Sequence, residues 1–111
     1  MIRGTTVFFL LALLLSPALA DDEEYQKIGW IAKGKEAVKL RLNDPDSAQF
    51  RNVYFHRGKD NLPLTCGEVN SKNGFGGYVG FQHFISGGSP EYTFFENEVE
   101  DFAVAWKRLC R

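Results

Sequence analysis

Metal-binding side chains are scarce in this sequence, which has two cysteines and two histidines among 111 residues. His56 and His83 stand far apart, and no His-x-x-x-His or Cys-x-x-Cys motif occurs, so the ligand set of a zinc site is missing. The acidic stretch 43–46 lacks the glycine and the final glutamate of an EF-hand loop. We therefore expect no metal and no cofactor.

The motifs of common catalytic and phosphate-binding classes are also missing. No Gly-x-Ser-x-Gly occurs, so no serine nucleophile is indicated. Glycine-rich residues 74–78 lead into a predicted strand rather than a helix, which excludes a phosphate loop. Basic residues are not in excess, since the formal net charge is −1, and the basic stretch 27–41 is typical of a solvated helix face. We assign no catalytic residue and expect no nucleic-acid partner.

Long apolar runs are confined to the N-terminus. Arg3 precedes an apolar run over 7–15, and residues 18–20 read Ala-Leu-Ala, the small-residue pattern that a signal peptidase recognises. The run is shorter than the roughly 20 apolar residues that span a bilayer. We predict a cleaved signal peptide at 1–20 and one mature domain at 21–111. That domain is expected to be periplasmic or secreted, with no stable membrane anchor after cleavage.

The two cysteines, Cys66 and Cys110, are predicted to form one disulfide, because an exported chain folds in an oxidising compartment. The alternative is a thiol nucleophile paired with His56 or His83. That chemistry needs a reducing setting, which the predicted signal peptide argues against.

Apolar periodicity and turn residues predict an α+β fold. An N-terminal helix is expected over 24–42, with an apolar stripe at Ile28, Ile31, Lys35, Val38 and Leu42. Gly29 and Gly34 weaken this helix. Asp44 is expected to cap a short turn over 46–49. Four antiparallel strands follow, at about 53–56, 62–70, 78–85 and 91–95.

A C-terminal helix is predicted to pack on this sheet. Asn97 and Glu100 have the spacing of a capping box, and the charges of the segment match the helix dipole. Its apolar stripe comprises Val99, Phe102, Ala103, Trp106, Leu109 and Cys110. Cys110 should hold this helix to the second strand.

Strand alternation places Glu68 on the same face as Cys66, toward the helix. A carboxylate near the core needs a partner or shifts its pKa. The expected partner is Lys72, Tyr78 or a backbone amide. The alternative is a general acid or base in a small hydrolase, which requires Glu68 to be unpaired and its pKa raised.

The segment 70–84 combines glycines with aromatic side chains and is the candidate binding surface. The structural interpretation is that the aromatic rings rest on bare glycine backbone. The functional interpretation is a recognition surface, since aromatic residues anchor many interfaces. The candidate residues are Lys72, Asn73, Phe75, Tyr78, Phe81 and Phe84.

Two stretches, 42–53 (LNDPDSAQFRNV) and 66–81 (CGEVNSKNGFGGYVGF), resemble a group of small exported bacterial proteins of uncharacterised activity. Members of that group are encoded on chromosomes, prophages and plasmids. The resemblance implies a bacterial, periplasmic setting. It implies no activity, so it assigns no catalytic or binding residue.

The leading hypothesis is therefore a periplasmic, non-enzymatic interaction protein whose partner is an envelope protein. A mobile-element effector in the envelope, with an exclusion, immunity or host-directed toxic role, is the alternative, and gene neighbourhood would separate the two. A small hydrolase that uses Glu68 is a third hypothesis. The residues leave open the identity of the ligand and the oligomeric state.

Overall fold

A computed structural model describes residues 22–111, which form two helices and a four-stranded antiparallel sheet. Helix α1 covers residues 22–39 and helix α2 covers Phe102–Leu109. The strands are β1 (Gln49–Arg57), β2 (Pro63–Asn70), β3 (Gln82–Ser86) and β4 (Thr93–Phe95). The predicted α+β fold is confirmed, whereas the predicted signal peptide lies outside the described residues. No helix in 22–111 is long and apolar enough to cross a membrane.

The strands are arranged in the order of the chain, β1-β2-β3-β4. In the first pair Tyr54 lies opposite Cys66, and in the second Glu68 lies opposite His83. The first pair carries a bulge between Arg51 and Tyr54, where Asn52 adopts a φ of 51°. Asparagine tolerates this left-handed conformation better than most residues. The bulge turns the Asn52 side chain toward the carboxylate of Glu68.

The sheet has an apolar core on each face, because successive side chains of its two central strands, β2 and β3, point alternately toward α1 and toward α2. On one face Val38 of α1 packs with three sheet residues, Val69, Phe84 and Phe95, which we name the α1-side core. On the opposite face α2 contributes to the α2-side core, which comprises Leu64, Cys66, Ile85, Phe102 and Cys110. The result is a three-layer helix–sheet–helix arrangement.

A disulfide joins Cys66 to Cys110, as predicted, with 44 residues of sequence separation. It ties the end of α2 to the middle of β2. The Tyr54 hydroxyl donates a hydrogen bond of 2.7 Å to the Cys110 carbonyl, which adds a second attachment at the same point. Burial raises the pKa of Tyr54, so this donor stays protonated at neutral pH.

The face that α1 buries matches the predicted stripe only in part, since Val38 is buried and Leu42 packs against the α1-side core as expected. Its closest approach to the sheet is through Gly34, Ala37 and Val38, whereas Ile28 is 64% exposed. The pattern of large side chains was misleading because small residues allow the helix to approach the sheet closely. A Cβ atom added to Gly34 would lie 2.5 Å from Thr65.

Helix α2 begins later than the sequence indicates, so the predicted capping box is wrong. Residues 96–101 form turns, and Asp101 precedes the helix in a left-handed conformation without a side-chain cap. Asp44 occupies the predicted N-cap position of the turn Pro45–Ser47, but its side chain makes no capping hydrogen bond. The Ser47 hydroxyl donates to the Asp44 carbonyl at 2.7 Å instead. The predicted apolar stripe packs as expected except for Ala103, which is exposed.

Candidate functional site

Residues 71–81, which we name the display loop, connect β2 to β3. The sequence predicted that the third strand begins at residue 78, but β3 begins at Gln82. At the base of the loop Lys72 and Tyr78 form an isolated antiparallel bridge. At its tip the N–H of Asn73 donates to the Gly77 carbonyl at 2.9 Å. The segment is therefore a closed loop and not part of a long strand.

The Asn73 side chain organises the tip from the inside. Its Oδ1 accepts hydrogen bonds from the N–H groups of Phe75 and Gly77, at 2.9 and 3.2 Å. Gly76 has a φ of +81°, a conformation that glycine adopts without a steric cost. The asparagine and the glycines therefore have a structural role here, which explains the Asn-Gly-rich composition of the segment.

The display loop is also attached to the turn before β1. The backbone N–H of Lys72 donates to the Ser47 hydroxyl at 2.8 Å, and the Tyr78 hydroxyl donates to the Ser47 carbonyl at 3.2 Å. At the other end the Gly80 N–H donates to the Asn70 side chain at 3.0 Å. These three bonds hold the two ends of the loop in place.

Phe75 stands at the tip of this ordered loop with 99% of its surface exposed. Two further apolar side chains of the loop face solvent, since Val79 is 63% exposed and Tyr78 is 47% exposed. The Lys72 ammonium lies 5.6 Å from the centre of the Tyr78 ring. Lys72 is the only charged residue in 71–81. The loop therefore presents apolar surface with a single positive charge beside it.

Two of the predicted binding residues, Phe84 and Phe81, pack against other residues of this chain. Phe84 has no exposed surface and belongs to the α1-side core, so its assignment to a binding surface is corrected. Phe81 is partly covered by Arg51, whose guanidinium carbon lies 3.8 Å from the ring centre. Of the six candidates, Phe75 and Tyr78 are exposed, Lys72 is half-buried beside Tyr78, and Asn73 supports the loop tip.

Glu68 is paired, but with partners other than Lys72 or Tyr78. Its carboxylate accepts hydrogen bonds from Arg51 Nε at 3.0 Å and from Asn52 Nδ2 at 2.9 Å. These bonds lower the pKa of Glu68 to about 2. The hydrolase hypothesis requires an unpaired carboxyl group with a raised pKa. The paired, strongly acidic Glu68 does not meet that requirement.

A histidine that the sequence did not single out for a site lies between two carboxylates. His83 Nδ1 is 3.1 Å from Glu96 Oε1, and its Nε2 is 3.7 Å from Glu68 Oε1. Glu96 Oε1 also accepts the backbone N–H of His83 at 3.0 Å. Hydrogen bonds from the backbone and the ring of His83 lower the pKa of Glu96. Strand register brings these groups together, which no local sequence pattern could indicate.

A cleft of about 390 Å³, which we name the His83 cleft, opens beside this cluster. His83 and Glu96 line its sheet side, and Ala103, Trp106, Lys107 and Arg111 line its helix side. Within 22–111 no group of three or more His, Cys, Asp or Glu side chains could hold a metal ion. The cleft therefore offers charged and aromatic contacts rather than a metal centre.

No protein-family model matches this chain, and the searches of curated proteins and of solved structures found no similar protein. Any function proposed for the chain therefore depends on its own sequence and on the geometry of the described residues.

Proposed function

We propose that this protein is a small exported interaction module in which the display loop presents Phe75 to a partner protein. The observation that carries the proposal is the complete exposure of Phe75 on a loop whose neighbouring backbone groups are hydrogen-bonded. The disulfide is consistent with an oxidising compartment. An envelope protein is the proposed partner.

The hydrogen-bonded order of the display loop supports a role in recognition rather than an incidental protrusion of the chain. When a flexible loop binds through a large apolar side chain, part of the favourable binding free energy is lost in ordering that loop. Asn73, Ser47 and Asn70 already fix the loop in the unbound protein. Aromatic residues in such positions commonly supply a large part of the binding energy of an interface. A complementary partner would offer an apolar pocket for Phe75 and an acidic group near Lys72.

Site-specific photo-crosslinking tests the proposal directly. The photoreactive residue benzoylphenylalanine replaces Phe75 in the oxidised exported protein, which is then irradiated in bacterial envelope extract. Because the Phe75 side chain is wholly exposed, the replacement should leave the fold unchanged. Tyr92, an aromatic residue that is 67% exposed outside the loop, is the matched control position. We expect a discrete cross-linked product from position 75 only. The same products from both positions, or none from position 75, would contradict the proposal.

The partner found in this way allows an affinity test. We expect the double variant Phe75→Ala and Lys72→Gln to weaken binding by about thirtyfold, which corresponds to the loss of one interface anchor. The thermal unfolding midpoint should remain that of the wild type. The variant Tyr92→Ala serves as the control and should bind normally. Normal binding by the double variant would exclude the loop as the recognition element.

A further inference from the structure

The His83 cleft shares no lining residue with the display loop and differs from it in chemistry. The small side chain of Ala103 is one of its lining residues on the helix side. Its volume of about 390 Å³ falls in the range of small-molecule sites. A site of this kind is independent of protein recognition by the loop.

The acidic side chains around the cleft have hydrogen-bond or ion-pair partners within the described residues, and the basic ones do not. Glu96 accepts two hydrogen bonds from His83, and Glu68 behind it is bonded to Arg51. Lys107 and Arg111, in contrast, form no ion pair with any other residue of the described chain. Glu68 is therefore paired with a cation and Glu96 is hydrogen-bonded to His83, whereas the two cations at the cleft have no acidic partner in 22–111 and are available to an anion.

The floor of the cleft is a fixed aromatic surface. The Trp106 ring contacts His83 edge to face with a centroid distance of 4.8 Å. It also packs against Tyr54 and Phe102, at 6.3 and 6.1 Å. A ring held on three sides provides a rigid apolar contact for a flat ligand, because no side-chain freedom is lost on binding.

His83 forms a wall of the cleft and is held there by two acidic neighbours. Both ring nitrogens face carboxylates, Glu96 on one side and Glu68 on the other. Nδ1 is within hydrogen-bonding distance of Glu96, at 3.1 Å, whereas Nε2 lies 3.7 Å from Glu68, which is an electrostatic contact only.

From these observations we infer that the His83 cleft binds a small aromatic carboxylate. The flat apolar body would pack on Trp106, and the carboxylate would pair with Lys107 and Arg111. Charge-assisted hydrogen bonds of this kind are stronger than neutral ones, and an arginine fork matches a carboxylate in shape. A two-ring acid suits a cleft of this volume.

The probe for the test is 2-naphthoate, titrated into the full protein while the indole N–H signals of Trp30 and Trp106 are followed by NMR. A Trp30→Phe variant assigns the two signals. We expect the Trp106 signal alone to shift, with a dissociation constant of about 1 mM for a ligand of this size. The neutral analogue 2-naphthamide should bind about tenfold more weakly, since it lacks the charge.

The combined variant Lys107→Gln and Arg111→Gln should also weaken 2-naphthoate binding by about tenfold. Arg108→Gln, which removes a neighbouring charge of α2 outside the cleft, is the matched control and should bind normally. Retention of the wild-type unfolding midpoint would show that both variants fold. Equal binding of naphthoate and naphthamide, unchanged binding by the double variant, or no shift of Trp106 would overturn the inference.

Discussion

Gly29 and Gly34 lie in the same helix, but Gly29 faces open space and Gly34 is packed tightly against the sheet. A Cβ atom at Gly29 would meet nothing within 4 Å, whereas one at Gly34 would lie 2.5 Å from both Cβ and Oγ1 of Thr65. Thr65 is buried, and its hydroxyl donates to the Trp30 carbonyl of α1 at 2.9 Å. Gly34 therefore permits a close contact between α1 and β2 that any larger residue would prevent.

The two glycines predict effects of opposite sign. Gly34→Ala should lower the free energy of unfolding by about 2 kcal/mol, because overpacking and a disturbed Thr65 hydrogen bond outweigh the helix preference of alanine. Gly29→Ala, the control, should raise it by about 1 kcal/mol through helix propensity alone. Urea unfolding measures both values. A stabilising Gly34→Ala would show that α1 does not approach β2 this closely.

The interactions of Glu68 predict a loss of stability in acid. The folded protein holds its pKa at about 2, below the usual 4.5, so the carboxylate is stabilised by folding. This contribution is complete above about pH 4.5 and disappears as the pH falls toward 2. The free energy of unfolding of the wild type should therefore fall between pH 6 and pH 3 by more than that of Glu68→Gln.

The control for this comparison is Glu91→Gln, which removes an exposed carboxylate that forms no ion pair within 22–111. Between pH 6 and pH 3 its free energy of unfolding, measured by urea unfolding, should fall by as much as that of the wild type. If Glu68→Gln also followed the wild type, the pairing of Glu68 with Arg51 and Asn52 would not contribute to stability.

Among the elements, the display loop has two of the hydrogen bonds at its tip supplied by one side chain, that of Asn73. Asn73→Ala removes the acceptor of the Phe75 and Gly77 N–H groups. Faster hydrogen exchange of these two amides and weaker partner binding are the expected results. The free energy of unfolding should change by less than about 0.5 kcal/mol, because the loop tip is exposed.

Asn73→Asp is the matched variant, since it keeps an oxygen acceptor at the same place. Slow amide exchange and partner binding should both be retained in this variant. Rapid exchange in Asn73→Asp, or slow exchange in Asn73→Ala, would show that the loop is ordered by other contacts.

Helix α2 depends on its covalent attachment. It has eight residues, fewer than the roughly 12–15 at which an isolated helix becomes even marginally stable. Reduction of the disulfide should lower the free energy of unfolding by about 4 kcal/mol, because the loop it closes is long. A double Cys66→Ala and Cys110→Ala variant should be similarly destabilised and insensitive to reductant. Equal stability of the oxidised and reduced wild type would contradict this role.

At the scale of the whole molecule, the two cores, the display loop and the His83 cleft occupy different places on the three-layer fold. The α1-side core and the α2-side core bury both faces of β2 and β3. The display loop emerges from one end of these two strands, while the His83 cleft lies on the α2 side of the sheet. The proposed binding by the loop and the proposed binding by the cleft therefore involve separate parts of one scaffold.

This separation predicts that the two sites act independently. Phe75→Ala should leave the dissociation constant of 2-naphthoate unchanged, and the double variant Lys107→Gln and Arg111→Gln should leave partner binding unchanged. Titration calorimetry of each variant with each ligand measures the four values. Coupling larger than about threefold would show that the sites communicate through the sheet.

The fold was largely predictable, because periodicity and turn residues are local signals. The antiparallel sheet, the disulfide and most of the α2 stripe follow from such signals. The buried face of α1 was predicted only in part: Val38 belonged to the expected stripe, whereas Gly34 and Ala37 did not, because such small residues are not recognised as part of an apolar stripe. The start of α2 was wrong because the spacing of Asn97 and Glu100 resembles a capping box without forming one.

The candidate site was predicted in part. The segment around Phe75 was identified from its composition, but composition could not separate an exposed ring from the buried ring of Phe84. The partners of Glu68 were also missed, because Arg51 and His83 reach it only through the register of β1 and β3 against β2. The His83 cleft escaped the sequence analysis for the same reason.

The sequence by itself determined the class of fold, the pairing of the two cysteines and the glycine-aromatic composition of the segment that contains the display loop, because each depends on neighbouring residues or on a minimal count. The tertiary structure decided which aromatic rings are exposed, which face of α1 is buried and which groups surround Glu68. Those properties arise from strand register and from the close approach of residues that are distant in the chain.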